Sequence, residues 1–371
     1  MAGTDLRLGL IGCGNMGNYY AHQLAKSRGA SLVVCCDPSP AKLARFREKW
    51  NIPGGTVEWR DLFSGSGEGA DLDGIINCTL DRLHGPIFAA AAEKGIPFFS
   101  EKPLAVDFDI LRRHEPETLL SLPFMINFSK RTIPAVEAVR RLVTEGGLGR
   151  LHRLELHYRQ GWVINHDFGD WRTTSPWLWR LSAKDSYLGV LGDLGSHMID
   201  LAVLLAGPVR SVTCQLNRID KGLTSWQGHT LDSPDEAFCL LEAESGASLL
   251  INLTRTFAGE KDGTEILAGG EKGSIRFRPD QEKDGFQLFR PGDSGWQRVG
   301  CPEKPLRNHE RFLHFLKNRS EIPSPGITDA VVNHVILAAA AESAERGIRI
   351  DLNSFGEEKL GRLWKRMAEQ A

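Results

Sequence analysis

Two domains are predicted: a parallel, doubly wound α/β sheet over residues 1–126, and an α+β domain over 127–371 with a largely antiparallel open sheet. Three observations carry this expectation. The chain has 371 residues, more than one ordinary domain of roughly 100–200 residues holds. Up to residue 120, short runs that are apolar on both faces alternate with helical patterns, as in a parallel sheet covered on both sides. Beyond residue 150, strand-like runs follow one another through Gly-, Asp- and Ser-bearing turns, the texture of an α+β domain.

In order, "LRLGLIG", "SLVVCCD", "GIINCT", "IPFFSEK" and "LPFMINF" read as strands of the first domain. Between them, "NMGNYYAHQLAKS", "PAKLARFREKW" and "HGPIFAAAAEKG" read as helices. The second domain offers "LHRLELHYRQ", "RSVTCQLNRI", "EAFCLLEA", "ASLLINLTRTF", "TEILAGG", "GSIRFRP" and "FQLFRPG" as strands, with helices near 194–206 and 328–346. The stretch 161–190, rich in Trp and Asp, reads as a long irregular segment, and such segments tend to be functional or mobile.

Composition excludes several classes of function. With 41% hydrophobic and 25% charged residues the chain falls in the soluble globular range. A formal net charge of −2 gives no bulk attraction to nucleic acid or anionic lipid. No apolar run approaches the roughly 20 residues of a spanning helix, and "MAGTDLRLGLIG" passes into a strand without a signal-peptide pattern. A cytoplasmic protein without nucleic-acid or membrane partners is therefore expected. The seven cysteines are scattered, with no CxxC or Cys/His spacing, so reduced thiols and no metal site are expected.

"LGLIGCGNMG" sets Gly12, Gly14 and Gly17 in a GxGxxG pattern between a strand and a helix, with Asn15 and Met16 inside the turn. The next strand ends in Asp37, about 20 residues past Gly17. Glycines there let backbone N–H groups approach a pyrophosphate at a helix N-terminus, and the acid accepts hydrogen bonds from a ribose. A dinucleotide site follows, with NAD favoured because a 2′-phosphate would meet a like charge. Lys42 and Arg45 leave NADP open. "FFSEKPLAV" then places Glu101, Lys102 and Pro103 where open α/β sheets bind ligands. The proline keeps Lys102 on extended backbone.

"IGCGNMG", "NCTLDRLH", "SEKPLAV", "KRTIPAV" and "GDLGSHMID", in this order and spacing, resemble the Gfo/Idh/MocA family of NAD(P)-dependent oxidoreductases, which includes inositol dehydrogenases and glucose-fructose oxidoreductase. The resemblance runs through nearly the whole chain. It implies a Rossmann N-terminal domain, and a C-terminal domain for substrate binding and assembly into homodimers or homotetramers. It implies that Lys102 reaches substrate and nicotinamide, that Asp193 and His197 complete the catalytic set, and that Thr79, His84, Glu101 and Arg131 join the cofactor-binding residues. Two departures stand out: Thr79, Leu80 and Asp81 replace the frequent Thr-Pro, and the glycine-rich run before Asp193 is reduced to "YLGVLG".

The chemistry of "GDLGSHMID" agrees independently. Residues four apart share a helix face, so Asp193 at the start of a helix and His197 one turn on point the same way. Oxidising a secondary alcohol sends hydride to nicotinamide and needs a base at the hydroxyl; histidine suits this near neutral pH. Asp193 would orient the imidazole or bind a neighbouring hydroxyl, and Lys102 would face the developing alkoxide. The competing reading makes Asp193 an N-cap and His197 a satisfied histidine.

The stretch "QGWVINHDFGDWRTTSPWLWRLSAKD" contains Trp162, Trp171, Trp177 and Trp179 among acids and arginines. Flat apolar faces beside polar groups suit a polyol, so Trp162, Trp179 and Arg180 join Lys102, Asp193 and His197 as candidate substrate contacts. Core or subunit-interface tryptophans are the alternative. "WLWRL" followed by "GDLGSH" looks like family members acting on sugars, anhydrosugars and cyclitols. A redox-assisted glycosidase and a non-catalytic nucleotide or sugar sensor are the rival functions.

Overall fold

The computed structural model describes residues 5–69, 71–173, 177–301, 303–319 and 324–368. The chain forms two compact units: Met1–Asn127 with Arg307–Val331, and Phe128–Leu306 with Val332–Ala371. A linear division at residue 126 leaves 307–331 with the second domain, whereas the chain returns there to the first unit.

The first unit is built on strands β1 (Leu6–Ile11), β2 (Ala30–Cys36), β3 (Gly54–Thr56), β4 (Gly74–Asn77), β5 (Phe98–Ser100) and β6 (Phe124–Ile126). They lie in the order β3-β2-β1-β4-β5-β6, and every pair is parallel. The order reverses between β1 and β4, and the crevice beyond the C-terminal strand ends at such a point is where these sheets bind ligands. Leu8, Leu10, Tyr20, Phe46 and Phe99 form the core with Phe312, Leu313 and Leu316. The last three belong to the helix Asn308–Asn318, so side chains from late in the sequence finish this core. β3, which the sequence reading lacks, is a three-residue strand of Gly, Gly and Thr.

The second unit carries β7 (Leu151–Arg159), β8 (Val209–Asn217), the small hairpin β9 (Ser225–Trp226) and β10 (His229–Thr230), β11 (Glu236–Ala243), β12 (Ser248–Thr254), β13 (Gly263–Gly270), β14 (Gly273–Phe277), β15 (Gly285–Phe289), β16 (Gln297–Gly300) and β17 (Ile350–Asp351). Nine of them form one sheet in the order β16-β15-β14-β13-β7-β12-β11-β8-β17. It is mostly antiparallel, with β7 and β12 running parallel. Period-2 alternation buries Ala237, Cys239 and Leu241 of β11 and Leu249, Ile251 and Leu253 of β12. The opposite face of β11 leaves Phe238 40% and Leu240 62% exposed, a surface this sheet does not cover itself.

Within the Trp-rich stretch, the described residues include short helical turns Trp162–Asn165 and Leu178–Leu181, and Trp162, Val163, Trp171, Leu178 and Leu181 make a small core with Leu231. The seven cysteines are free thiols. Among the described residues, no helix is long and apolar enough to cross a membrane, and no group of three or more His, Cys, Asp and Glu side chains could hold a metal.

Candidate active site

In the first unit, the turn between β1 and the helix Asn15–Lys26 fits a dinucleotide. Gly12 has φ +101°, and a Cβ there would lie 2.6 Å from the Cys78 carbonyl oxygen. A Cβ on Gly17 would lie 2.2 Å from the Gly12 oxygen, while one on Gly14 would meet nothing within 4 Å. Close packing is thus required at the first and third glycines, and the second leaves the backbone open to a ligand. Gly14 caps the helix without a side-chain hydrogen bond, which keeps N–H groups of the first turn for an anion. Asn15 is exposed and Met16 half-buried in that turn.

Asp37 is buried at the end of β2. Its carboxylate accepts from the backbone N–H of Cys13 at 3.1 Å and of Ser39 at 2.9 Å, so the acid is tied to the glycine turn itself. The Cys13 thiol beside it is pushed well above its ordinary range, first by its hydrogen bond with Cys35 and then by burial. It is therefore no nucleophile.

A polar network joins the ends of β4 and β5. Thr79 donates its hydroxyl to Asn77 Oδ1 at 2.8 Å, Asn77 Nδ2 donates to Ser100 Oγ at 3.1 Å, and Ser100 donates to the Glu101 carbonyl at 2.9 Å. Glu101 is buried and accepts from Tyr20 Oη at 2.6 Å and Asn127 Nδ2 at 2.9 Å. Burial, then the Glu101 charge, pushes the Tyr20 hydroxyl well above its usual range, so it remains a donor. His84 is almost wholly buried, with Nδ1 2.7 Å from the Pro103 oxygen and Nε2 3.2 Å from the Thr79 oxygen. These residues were expected to touch cofactor; what Thr79, His84 and Glu101 touch here is the framework around the half-buried Lys102. Tyr20, Asn77, Ser100 and Asn127 escaped the sequence reading. A polar residue ending the apolar run "GIIN" was the available signal.

In the second unit, Asp193 lies inside a π-helical turn, Leu191–Gly195, that runs straight into the helix Ser196–Ala206. The chain is already helical at Val190, so Asp193 neither starts the helix nor caps it. Such turns are frequent at functional sites. Asp193 and His197 are both buried. One carboxylate oxygen of Asp193 accepts from Arg180 Nη1 at 2.9 Å and from Arg255 Nη2 at 3.1 Å. Arg180 stacks over Trp177 and Trp179, 4.2 and 5.4 Å from their ring centroids. Arg255, absent from the sequence reading, is fully buried and donates Nη1 to the Arg180 carbonyl at 2.9 Å. Burial pulls its pKa below the usual guanidinium range, with Asp193 opposing.

One expectation changes, and a second residue gains a contact the sequence did not suggest. Trp162 is 1% exposed in the small core, so its ring has no face to offer a substrate; Trp179 and Arg180 stay partly accessible. Arg131, expected at the cofactor, is buried in the second unit. Its Nε lies 3.1 and 2.9 Å from the two Asp200 oxygens and its Nη2 2.5 Å from one of them. A planar guanidinium fork satisfied in this bidentate way has a structural use of its own.

Residues 6–115 match the family model described as the oxidoreductase family, NAD-binding Rossmann fold. Residues 136–276 match the GFO/IDH/MocA C-terminal domain. The chain belongs to the GFO/IDH/MocA family and is an NAD-dependent oxidoreductase with a Rossmann first unit. Among its relatives, a levoglucosan dehydrogenase of Pseudarthrobacter phenanthrenivorans is 26% identical, over 79% of this chain and 78% of that protein. A D-apiose dehydrogenase of Rhizobium rhizogenes is 22% identical over 95% and 99% of the two chains. A solved levoglucosan dehydrogenase in complex with NADH and levoglucosan superposes with a TM-score of 0.81 at 23% identity, covering 94% of this chain and 100% of that one; at that identity it supports the fold alone.

Proposed function

We propose that the protein moves hydride between NAD(H) and a secondary alcohol of a sugar, anhydrosugar or cyclitol. The observation that carries this reading is the buried Asp193–His197 pair on one helical run, with the Asp193 carboxylate held by two arginines. Relatives named levoglucosan, D-apiose and scyllo-inositol 2-dehydrogenase support the substrate class.

When bound, nicotinamide accepts the hydride that leaves the carbinol carbon. His197 would take the hydroxyl proton, leaving the O–H electron pair on oxygen to form the C=O bond of the ketone as the hydride departs with the C–H pair. Lys102 supplies positive charge to the developing alkoxide. Asp193, its carboxylate held by Arg180 and Arg255, orients His197 and accepts a neighbouring substrate hydroxyl. Trp179 and Arg180 give the polyol a flat face and a donor. Asp37 accepts the ribose hydroxyls and disfavours a 2′-phosphate. The second unit binds substrate and assembles copies of the chain into a dimer or tetramer, and the cytoplasm is the compartment that suits its free thiols.

The test is anaerobic absorbance of reduced nicotinamide, with NAD or NADP and a panel of inositols, aldoses, levoglucosan, apiose and glycosides. Sustained reduction with a polyol is expected, falling by roughly 10²–10⁴-fold in Lys102→Ala and His197→Ala while His197→Ala still binds NADH. Aglycone release from a glycoside without net reduction, or no turnover of any substrate, overturns the reading.

A further inference from the structure

We propose that Arg255 is a positioning residue for the reaction: it fixes the Asp193 carboxylate in place for the substrate hydroxyl. The inference rests on the role given to Asp193 above.

The two arginines on Asp193 are not equivalent. Arg180 has 21% of its side chain exposed, while Arg255 has none. Arg255 follows the last residue of β12, and its backbone N–H donates to the Asp235 carbonyl at 3.0 Å. Its guanidinium meets three different demands: Nη2 on the Asp193 carboxylate, Nη1 on the Arg180 carbonyl, and the plane 5.8 Å from the Trp162 ring centroid. The group therefore locates both the carboxylate and the backbone of the other arginine. Asp235, the acceptor of the Arg255 backbone N–H, is itself paired through its side chain with Lys221, both side chains being essentially buried.

A buried ion pair contributes little to stability compared with well-packed apolar residues of similar volume. Stability alone therefore does not call for an arginine behind β12. Two guanidinium groups on one carboxylate oxygen hold the group in one orientation, which is what recognition of a particular substrate hydroxyl requires.

A double-mutant cycle tests this. Parent, Arg255→Met, Asp193→Asn and the double variant are compared, with Arg255→Lys as the conservative change and thermal melts to verify folding. The main readout is the affinity of NADH-loaded protein for levoglucosan and myo-inositol by calorimetry, which needs no turnover; NADH affinity and kcat are read beside it. Arg255→Met is expected to weaken polyol binding about tenfold or more, to lower kcat, and to leave NADH affinity within about twofold. In the Asp193→Asn background the same change should alter polyol affinity less than about twofold. Arg255→Lys should recover part of the loss, since a point charge replaces the fork; if Arg255→Met does not fold, the cycle is run with Arg255→Lys.

Equal loss in both backgrounds, or no loss in the parent background, overturns the inference and leaves the proposed function standing. A parent protein that neither binds nor oxidises any polyol overturns both.

Discussion

At the scale of single residues, geometry turns several ordinary side chains into parts of a device. Asp37 is held by two backbone N–H groups, one of them from the glycine turn, so the groups proposed here to recognise ribose and pyrophosphate share one brace. Asp37→Ser removes the charge and loosens the turn. NADH affinity is expected to fall by about 10–100-fold, the worth of a hydrogen bond to a charged group, while NADPH affinity falls less or rises. Fluorescence titration with both nucleotides checks this, and an unchanged preference would remove Asp37 as the discriminator. The glycine turn and Asp37 at the end of β2 were legible as a spacing, whereas Lys102 and His197 entered as candidates through the family resemblance and the chemistry of an alcohol oxidation. Trp162 was misjudged because residue type announces a capability, whereas burial decides its use; the Asp200 pairing of Arg131 was not legible at all. Arg255 was missed because a lone arginine after "SLLINLT" resembles any strand-ending cation.

At the scale of elements, the strongly patterned segments were legible and the short ones were not. β1, β2 and β4 announce themselves as apolar runs, and β7, β11 and β12 by alternation. β3 offers no apolar residue and β16 has only one, Val299; neighbouring strands, not local propensity, define them. The helix Asn308–Asn318 also brings His309 against Tyr19 and Tyr20, edge to face at 6.0 and 5.8 Å. Burial pushes the His309 pKa below its ordinary 6.5, with Glu310 opposing and Arg307 adding. A depressed imidazole pKa means that the unfolded chain binds the proton first, so stability falls as pH drops below 6.5 towards the folded-state value. The loss in Tm between pH 7.5 and 5.5 is expected to shrink by about 1–3 °C in His309→Gln. An unaltered slope would show that other groups dominate that window.

At the scale of the whole molecule, the nine-stranded sheet has one face covered and one that leaves Leu240 and Phe238 open beside Leu250, the cross-strand partner of Leu240. The assembly proposed above, if it uses this face, would account for apolar residues where an antiparallel sheet facing water would carry polar ones. Light scattering on the purified protein should give a dimer or tetramer, and Leu240→Glu should shift it towards smaller species. A monomeric parent would remove the proposal. The class of both domains was legible from the switch between a buried, helix-alternating texture and an alternating one. The return of 307–331 to the first unit was not, because nothing local marks which core Phe312, Leu313 and Leu316 will enter.

That return has a consequence for how the protein is made. A cavity-free fit between Gly74 at the start of β4 and Phe312 and Leu316, whose atoms would stand 3.1–3.3 Å from a Cβ at that glycine, cannot form until those residues leave the ribosome. At 5–20 residues per second, the intervening residues 128–306 take roughly 10–40 s to synthesise. All six strands of the nucleotide-binding unit exist throughout that interval with one flank of their core uncovered. A nascent chain stalled or cut before residue 307 therefore lacks the side chains that complete this core, and a late-made segment decides when the first-made strands become fully packed.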